Sequence, residues 1–300
     1  MAGGFQNMKQ RTVEPPFGAY TLSRPAEFIR RLAIHMPYNR FGKWMVSFLR
    51  KTSVGRSAGP VDVADVFPTI HARLYPATNR CEKRAVAGSH IFDPQEREAL
   101  AEALIRSTSE PFVFVDLGAN IGLYSLWMVS VARRARRELL GLAVEPDPVT
   151  RERLETNLAA SAAESIMVAA CAVGETSGRG AIVIHDGNRG EHRVRTAEAN
   201  EEDSFEIVPI AEICARHGIE RIDAMKIDLE GHDEAALRGL FTHGPANLWP
   251  DLIVVEAGKD EELPVVQLCL GNGYKLERRT RLNALLARQP NASGRLSSDR

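Results

Sequence analysis

The 300-residue chain has little cysteine, and its four thiols (Cys81, Cys171, Cys214 and Cys269) stand far apart, with no C-x-x-C pair and no zinc-like spacing. That argues against a disulfide-stapled secreted scaffold and a zinc-finger protein, and fits a reducing compartment. No apolar run approaches the roughly 18–20 residues that span a bilayer. The first residues, MAGGFQNMKQRTVEPP, lack the apolar stretch of a secretory signal, so a cytoplasmic protein is expected. No internal repeat is present. What remains, 44% hydrophobic and 26% charged, is an ordinary globular composition with length enough for a large domain plus an appendage.

The formal net charge of -1 conceals an asymmetry. Residues 1–60 hold ten Lys and Arg against two Glu, a net of +8, and residues 61–300 hold 28 against 37, a net of -9. A basic leader therefore precedes an acidic body. A substrate-side lid or a homo-oligomer contact is the first expectation for it. Contact with a membrane surface, carried by Trp44 and Phe48 beside Arg and Lys, ranks behind them.

Three stretches are expected. Residues 1–90 form an N-terminal helical and β-hairpin appendage, 91–290 a cofactor-binding domain and 291–300 a disordered tail. Within the first, residues 1–20 read as poorly ordered. Two short amphipathic helices lie between Pro25 and Lys51, broken near Pro37-Tyr38-Asn39, and Val61–Ile91 suits an antiparallel strand pair. Asp93-Pro94 reads as the cap and first residue of a helix. From Phe112 onward short apolar runs (Phe112–Val115, Leu139–Val144, Ile166–Val173, Ile222–Leu229, Leu252–Val255) alternate with helical patterns. That rhythm predicts an α/β fold with a mostly parallel sheet covered on both faces, and Tyr274–Arg279 with Ala284–Ala287 adds antiparallel strands at one edge. Residues 186–204 are polar and aperiodic, and read as a mobile insertion loop.

The most informative segment is Phe112-Val-Phe-Val-Asp116-Leu-Gly118-Ala-Asn120-Ile-Gly122-Leu-Tyr124-Ser125. Gly118 lets the chain leave a strand sharply, Asn120 tolerates positive φ, and Gly122 leads into a helix whose first N–H groups favour an anion. A nicotinamide dinucleotide asks for G-x-G-x-x-G, so that its pyrophosphate meets the helix N-terminus. Here the turn is G-x-N-x-G, and the strand ends in an aspartate expected to be exposed. A carboxylate repels a pyrophosphate but suits the ammonium of S-adenosylmethionine (SAM). Glu145, ending the second strand before Pro146, is placed to accept both ribose hydroxyls of either cofactor; Asp116 decides for SAM.

These segments, DLGANIGLYS, VEPDPVTRERLETNL and IDAMKIDLEGHDEAALRG, resemble the successive motifs of the FkbM-type family of SAM-dependent methyltransferases. The likeness runs over roughly residues 85–287, with weaker matches at Phe92-Asp-Pro, Ala170-Cys-Ala-Val-Gly174 and Leu252-Ile-Val-Val-Glu256. It implies a Rossmann-like class I methyltransferase sheet, SAM as methyl donor and O-methylation of a hydroxyl on a sugar, glycan or secondary metabolite. The matched motifs add Tyr124, Ser125, Pro146, Cys171 and Ala172 to the cofactor positions Asp116, Gly118, Asn120, Gly122 and Glu145. The insertion at 186–204 and the basic leader depart from the pattern, on the substrate side.

Lys226-Ile-Asp228-Leu-Glu230-Gly231-His232 sets polar groups at the carboxyl end of a central strand, where such sheets bind ligands. Strand alternation sends Lys226, Asp228 and Glu230 to one side. Asp228, a cofactor position as well, is the first choice near the methyl group or substrate hydroxyl, and His232 is the alternative base. Glu256, ending the next strand, completes an acidic cluster. Asp228, Glu230 and Glu256 together could hold Mg²⁺, which is not expected. The (D/N)PPY tetrad of base-amino methyltransferases is absent, so no nucleic-acid substrate is expected. Two further readings stay open: a SAM-binding scaffold without turnover, which the joint presence of Asp116, Glu145 and Asp228 disfavours, and a nicotinamide-dependent oxidoreductase, which the turn disfavours.

Overall fold

The apolar runs of the sequence lie side by side in one sheet. In the computed structural model, which describes residues 14–290 apart from 38, 56–58, 78–79, 89, 91, 184–192, 197–203 and 258–262, the chain order begins with the appendage. Its elements are α1 (Arg24–Ile34), α2 (Arg40–Val54), β1 (Val61–Phe67), β2 (Ile70–Leu74) and α3 (Arg80–Ala87). The body follows with α4 (Pro94–Arg106), β3 (Phe112–Leu117), α5 (Leu123–Ala135), β4 (Leu139–Val144), α6 (Pro148–Ala160) and β5 (Ile166–Ala169). Next come β6 (Ala172–Val173), β7 (Gly178–Val183), β8 (Arg193–Thr196), β9 (Ser204–Val208), α7 (Ile210–Arg216) and β10 (Ala224–Ile227). The last elements are α8 (Asp233–His243), β11 (Leu252–Glu256), α9 (Pro264–Gly271), β12 (Tyr274–Arg279) and β13 (Asn283–Arg288).

The main sheet runs β12-β13-β11-β10-β3-β4-β5, with β5, β4, β3, β10 and β11 mutually parallel. The antiparallel strand is β13, one place in from the edge, because it pairs antiparallel with both β11 and β12. The chain leaves β3 toward β4 on one side and later returns to β10 on the other. That reversal opens a crevice at the carboxyl ends of β3 and β10, the switch point where sheets of this kind bind ligands.

Alternation along the strands assigns their faces. Phe112 and Phe114 of β3 join one buried cluster, with residues of α4, α5 and the appendage, whereas Val113, Val115 and Leu117 join the cluster beneath α7, α8 and α9. By the same period Asp116 and Lys226, which are register partners on β3 and β10, share the α5 face. The hairpin β1–β2 contributes Val63, Phe67, Ile70 and Leu74 to that cluster, so the appendage packs into the core of the sheet.

Several segments differ from the sequence expectations. Residues 14–20 are held: Asp62 accepts from the N–H groups of Gly18 and Tyr20 at 2.6 and 3.0 Å, and the buried Arg73 donates to the carbonyls of Pro15 and Pro16. Val61–Ile91 is a hairpin followed by the helix α3, since Arg80–Ala87 has the polar spacing of a short amphipathic turn. The run Ile166–Val173 breaks at Ala170-Cys171, and β6 leaves the main sheet to pair with β9 in a four-stranded sheet, β6-β9-β7-β8. Part of the expected 186–204 loop is therefore strand, as Arg193–Thr196 pairs antiparallel with β7. The rest of that loop, residues 1–13 and the tail from 291 lie outside the described residues.

One buried amide joins appendage and body. Asn157 of α6 is fully buried; its Oδ1 accepts from the Arg73 N–H of β2 at 2.7 Å and its Nδ2 donates to the Ile121 carbonyl at 3.2 Å. Asn157→Ala leaves a donor and an acceptor buried without partners and is expected to cost about 2–4 kcal/mol. Chemical denaturation at neutral pH measures it.

Candidate cofactor and active site

The turn from β3 into α5 is built on left-handed backbone. Gly118, Asn120 and Gly122 take φ of 73, 53 and 85°. At Gly118 a Cβ would lie 2.0 Å from the Asp228 carbonyl oxygen, so the glycine lets the turn after β10 press against the turn after β3. The N–H groups of this turn are used within the chain. Gly118 and Ala119 donate to Val144 O, Asn120 to Glu145 Oε2, Ile121 to its neighbour's Asn120 Oδ1, and Gly122 to Ala119 O. A pyrophosphate needs such donors free. From Gly118 to Gly122 these N–H groups are therefore taken, and in the first turn of α5, where the sequence places an anion, Ser125 N is taken by Asp116 and Leu126 N by Gly122 O.

Asp116 is 1% exposed, a correction to the expectation of an open carboxylate. Its Oδ2 accepts from Ser125 N at 3.1 Å and Ser125 Oγ at 2.7 Å, so it holds the first turn of α5. Burial pushes it up to about 6, against the opposing pull of Ser125 and Lys226. Solvent does reach Asp228, whose side chain is 39% exposed and lies 3.1 Å from Lys226 Nζ. Lys226 itself is buried. Burial alone would lower its pKa, but Asp228 and Asp116 raise it above the ordinary value, so it is a fixed cation. Glu256 at the end of β11 hydrogen-bonds Asp228; burial and then the Asp228 charge push it up to about 7.

Across the crevice, Glu145 spans two loops. Its Oε2 takes the Asn120 N–H at 2.9 Å and its Oε1 the Asp147 N–H at 3.0 Å. It is 8% exposed, and burial pushes it up to about 7 although both N–H groups pull the other way. Pro146 follows half-buried, and its carbonyl accepts from Arg151. Cys171 and Ala172 are buried at the break between β5 and β6; burial pushes the Cys171 thiol up to about 11, which keeps it an unreactive core group.

The turn after β10 departs from strand alternation. Glu230 and Gly231 are left-handed, with φ of 51 and 98°, so Glu230 does not continue the Lys226–Asp228 row. Asp233, which the sequence reading passed over, holds this turn by accepting from Leu229 N at 3.0 Å and Gly231 N at 3.3 Å. His232 is the half-buried residue before α8, and its side chain makes no capping bond there. Among the described residues no three His, Cys, Asp or Glu side chains gather as a metal-holding group.

Tyr124, a cofactor position from the sequence, proves to be the wall over Lys226, through contacts no motif shows. Tyr124 lies buried with its ring 5.3 Å from Lys226 Nζ, and its hydroxyl donates to Asp93 Oδ2 at 3.0 Å. Asp93 precedes α4 as expected, but in a left-handed conformation (φ 37°), and its side chain turns to Tyr124 without capping the helix. Glu96 ties the same helix start to the far hairpin, accepting from Asn283 Nδ2 at 2.8 Å and from the Thr280 hydroxyl at 2.5 Å. These partners lie 31 to 187 residues apart in sequence, beyond any local spacing signal.

Residues 116–276 match the family model described as "Methyltransferase FkbM domain". The chain is 28% identical over 163 residues to the methyltransferase sdnD of Sordaria araneosa, a match covering 44% of this chain and 61% of that relative. The chain thus spans about 61% of the length of the curated relative it matches. Among solved structures, the METTL16 methyltransferase domain is similar at a TM-score of 0.46 and 10% identity, over 88% of this chain and 80% of that one. A SAM-dependent O-methyltransferase of Thermotoga maritima is similar at a TM-score of 0.39 and 11% identity, over 65% of each chain.

Asp116 gives the site a pH signature. Its folded value of about 6 lies above the ordinary 3.8, so its contribution to folding is full below about pH 4 and is lost as pH rises through about 6. Asp116→Asn keeps an acceptor for Ser125 and removes the titration. Between about pH 4 and about pH 7 the wild-type unfolding free energy is expected to fall by up to about 3 kcal/mol relative to that of the variant. Urea denaturation of the free protein across that range is the check.

Proposed function

The chain belongs to the FkbM methyltransferase family, and from that premise we propose that it transfers a methyl group from SAM to a hydroxyl of a sugar, glycan or secondary metabolite. The observation that carries this reading is the Lys226–Asp228–Glu256 constellation, in which Asp228 combines a 39% exposed side chain with a fixed cation 3.1 Å behind it.

The residues present fit SAM better than a dinucleotide. The N–H groups from Gly118 to Gly122 are taken within the chain, while the crevice is walled by carboxylates that suit a cationic ligand bearing ribose hydroxyls. Glu145, held by Asn120 and Asp147, would take the ribose, and Pro146, Cys171 and Ala172 would border the base. Gly118 and Gly122 shape the turn, and Asp116 acts through Ser125 by fixing the first turn of α5, with Tyr124 alongside. SAM supplies, when bound, a methyl group already activated on a sulfonium.

The chain's own work is then positioning and proton handling. Asp228 accepts a hydrogen bond from the acceptor hydroxyl and takes its proton as that oxygen becomes a nucleophile. Lys226 keeps a positive charge 3.1 Å from the Asp228 carboxylate, and the Glu256 carboxyl, raised to about 7 by burial and by the Asp228 charge, hydrogen-bonds it. His232, on the rim before α8, is the second group within the same turn.

Calorimetric titration is expected to show SAM binding and no NADH binding; tight NADH binding without SAM would sink the assignment. With an acceptor found by a methyl-mass gain in hydroxylated extracts, Asp228→Asn is expected to lower kcat by about 10²–10⁴-fold with SAM affinity nearly unchanged. Full turnover in that variant would remove Asp228 from the role of base.

A further inference from the structure

The outer face of α2 has no counterpart in the core. Phe41, Trp44 and Phe48 are 63, 62 and 53% exposed and follow one another at i, i+3 and i+7. Their rings form a continuous ladder, with centroids 6.2 Å apart for Phe41–Trp44 and 6.1 Å for the stacked Trp44–Phe48 pair. At 100° per residue these positions lie opposite Val46, Leu49 and Ser53, by which α2 packs inward. Aromatics exposed singly need no explanation, but three in contact on one helix do.

The charge around the ladder is of one sign. Arg40, Lys43 and Lys51 are exposed on the same helix, and α2 contains no Asp or Glu at all. On α1, Phe28 (65% exposed) and Leu32 (39%) lie among the exposed Arg24, Arg31 and His35. The α1–α2 pair holds seven Lys and Arg against Glu27, and the leader as a whole is +8 on a body of -9. An amphipathic helix with Trp and Phe outward and cations at its flanks has the chemistry of an interfacial element that rests in the headgroup layer. Among the described residues no helix is long and apolar enough to cross a membrane, so such contact is peripheral.

We propose that the aromatic face of α2, with its flanking cations, docks this protein on an anionic lipid bilayer. The charge complementarity and the absence of acid on α2 favour an anionic surface, and the apolar ladder favours a lipid layer over a purely charged polymer. The face sits behind the crevice wall: Ala33, Val46 and Leu49 pack on Ala87 of α3, whose Arg84 lies 4.0 Å from Asp93.

Co-sedimentation of the full chain with vesicles of equimolar phosphatidylcholine and phosphatidylglycerol, against phosphatidylcholine alone, tests the proposal. Binding to the anionic vesicles only is expected, with a blue shift of Trp44 emission and weakening by salt. Trp44→Ser with Phe48→Ser is expected to lower the vesicle affinity by about tenfold or more. Arg40→Gln with Lys51→Gln, which leaves the rings in place, is expected to lower it by at least about fivefold. Far-UV circular dichroism verifies that α2 still folds in each variant. Three results would overturn the proposal: no binding to the anionic vesicles, binding that both double variants retain, or a lipid-free dimer that the Trp44/Phe48 variant dissolves. Preference for a polyuridylate competitor over the vesicles would do the same.

Discussion

A buried ammonium in the middle of the sheet organises the carboxyl edge. Lys226 stands on β10 beside Asp116 on β3, with Asp228 one step further along its own chain and Tyr124 across its path. Five acids surround this one position, since Asp93, Asp116, Asp228, Asp233 and Glu256 all bear on it or on one another. Without the cation, that many carboxyls at a dry strand end would be held only in neutral form. With it, the acids divide: Asp116 is spent on the helix α5, Asp233 on its own turn, and Asp228 is left facing the crevice.

The two turns at the switch point are made for each other. Gly118 has no side chain because the Asp228 carbonyl occupies the place where a Cβ would go. The Asp228 N–H in turn donates to Leu117 O at 3.0 Å, so strand pairing continues into the site. Glu145 performs the equivalent joining on the other flank, binding the loop after β3 to the loop after β4. The N–H groups from Gly118 to Gly122 and those of Asp147, Leu229 and Gly231 are thus held within the chain, and side-chain carboxylates stand among them at the crevice.

How much of this was legible in the sequence follows from contact range. Asp116, Gly118, Asn120, Gly122 and Glu145 lie in short motifs whose backbone demands are local, and the sheet's parallel core shows in its apolar runs. The exposure of Asp116 was misjudged because its partner Ser125 sits nine residues on, inside a helix whose rotation cannot be read from spacing. Asp93, Glu96 and Tyr124 meet only through tertiary packing, and Asp233 was overlooked because a helix-start aspartate is ordinary. The second sheet was missed for another reason. Its strands are short, and Arg193–Thr196 is polar, so backbone pairing with β7 decides its structure where hydrophobic periodicity says nothing.

The Asn157 amide makes the appendage inseparable from the cofactor turn. It reaches Arg73 of β2 on one side and Ile121, in the middle of the glycine turn, on the other. Arg73 in turn grips Asp62 at 2.7 Å and the carbonyls of Pro15 and Pro16. A thread of polar contacts thus runs from the first described residues to the backbone that would cradle a nucleoside. A change at Pro15, Pro16 or Asp62 is therefore felt two contacts away, at the amide that holds the turn.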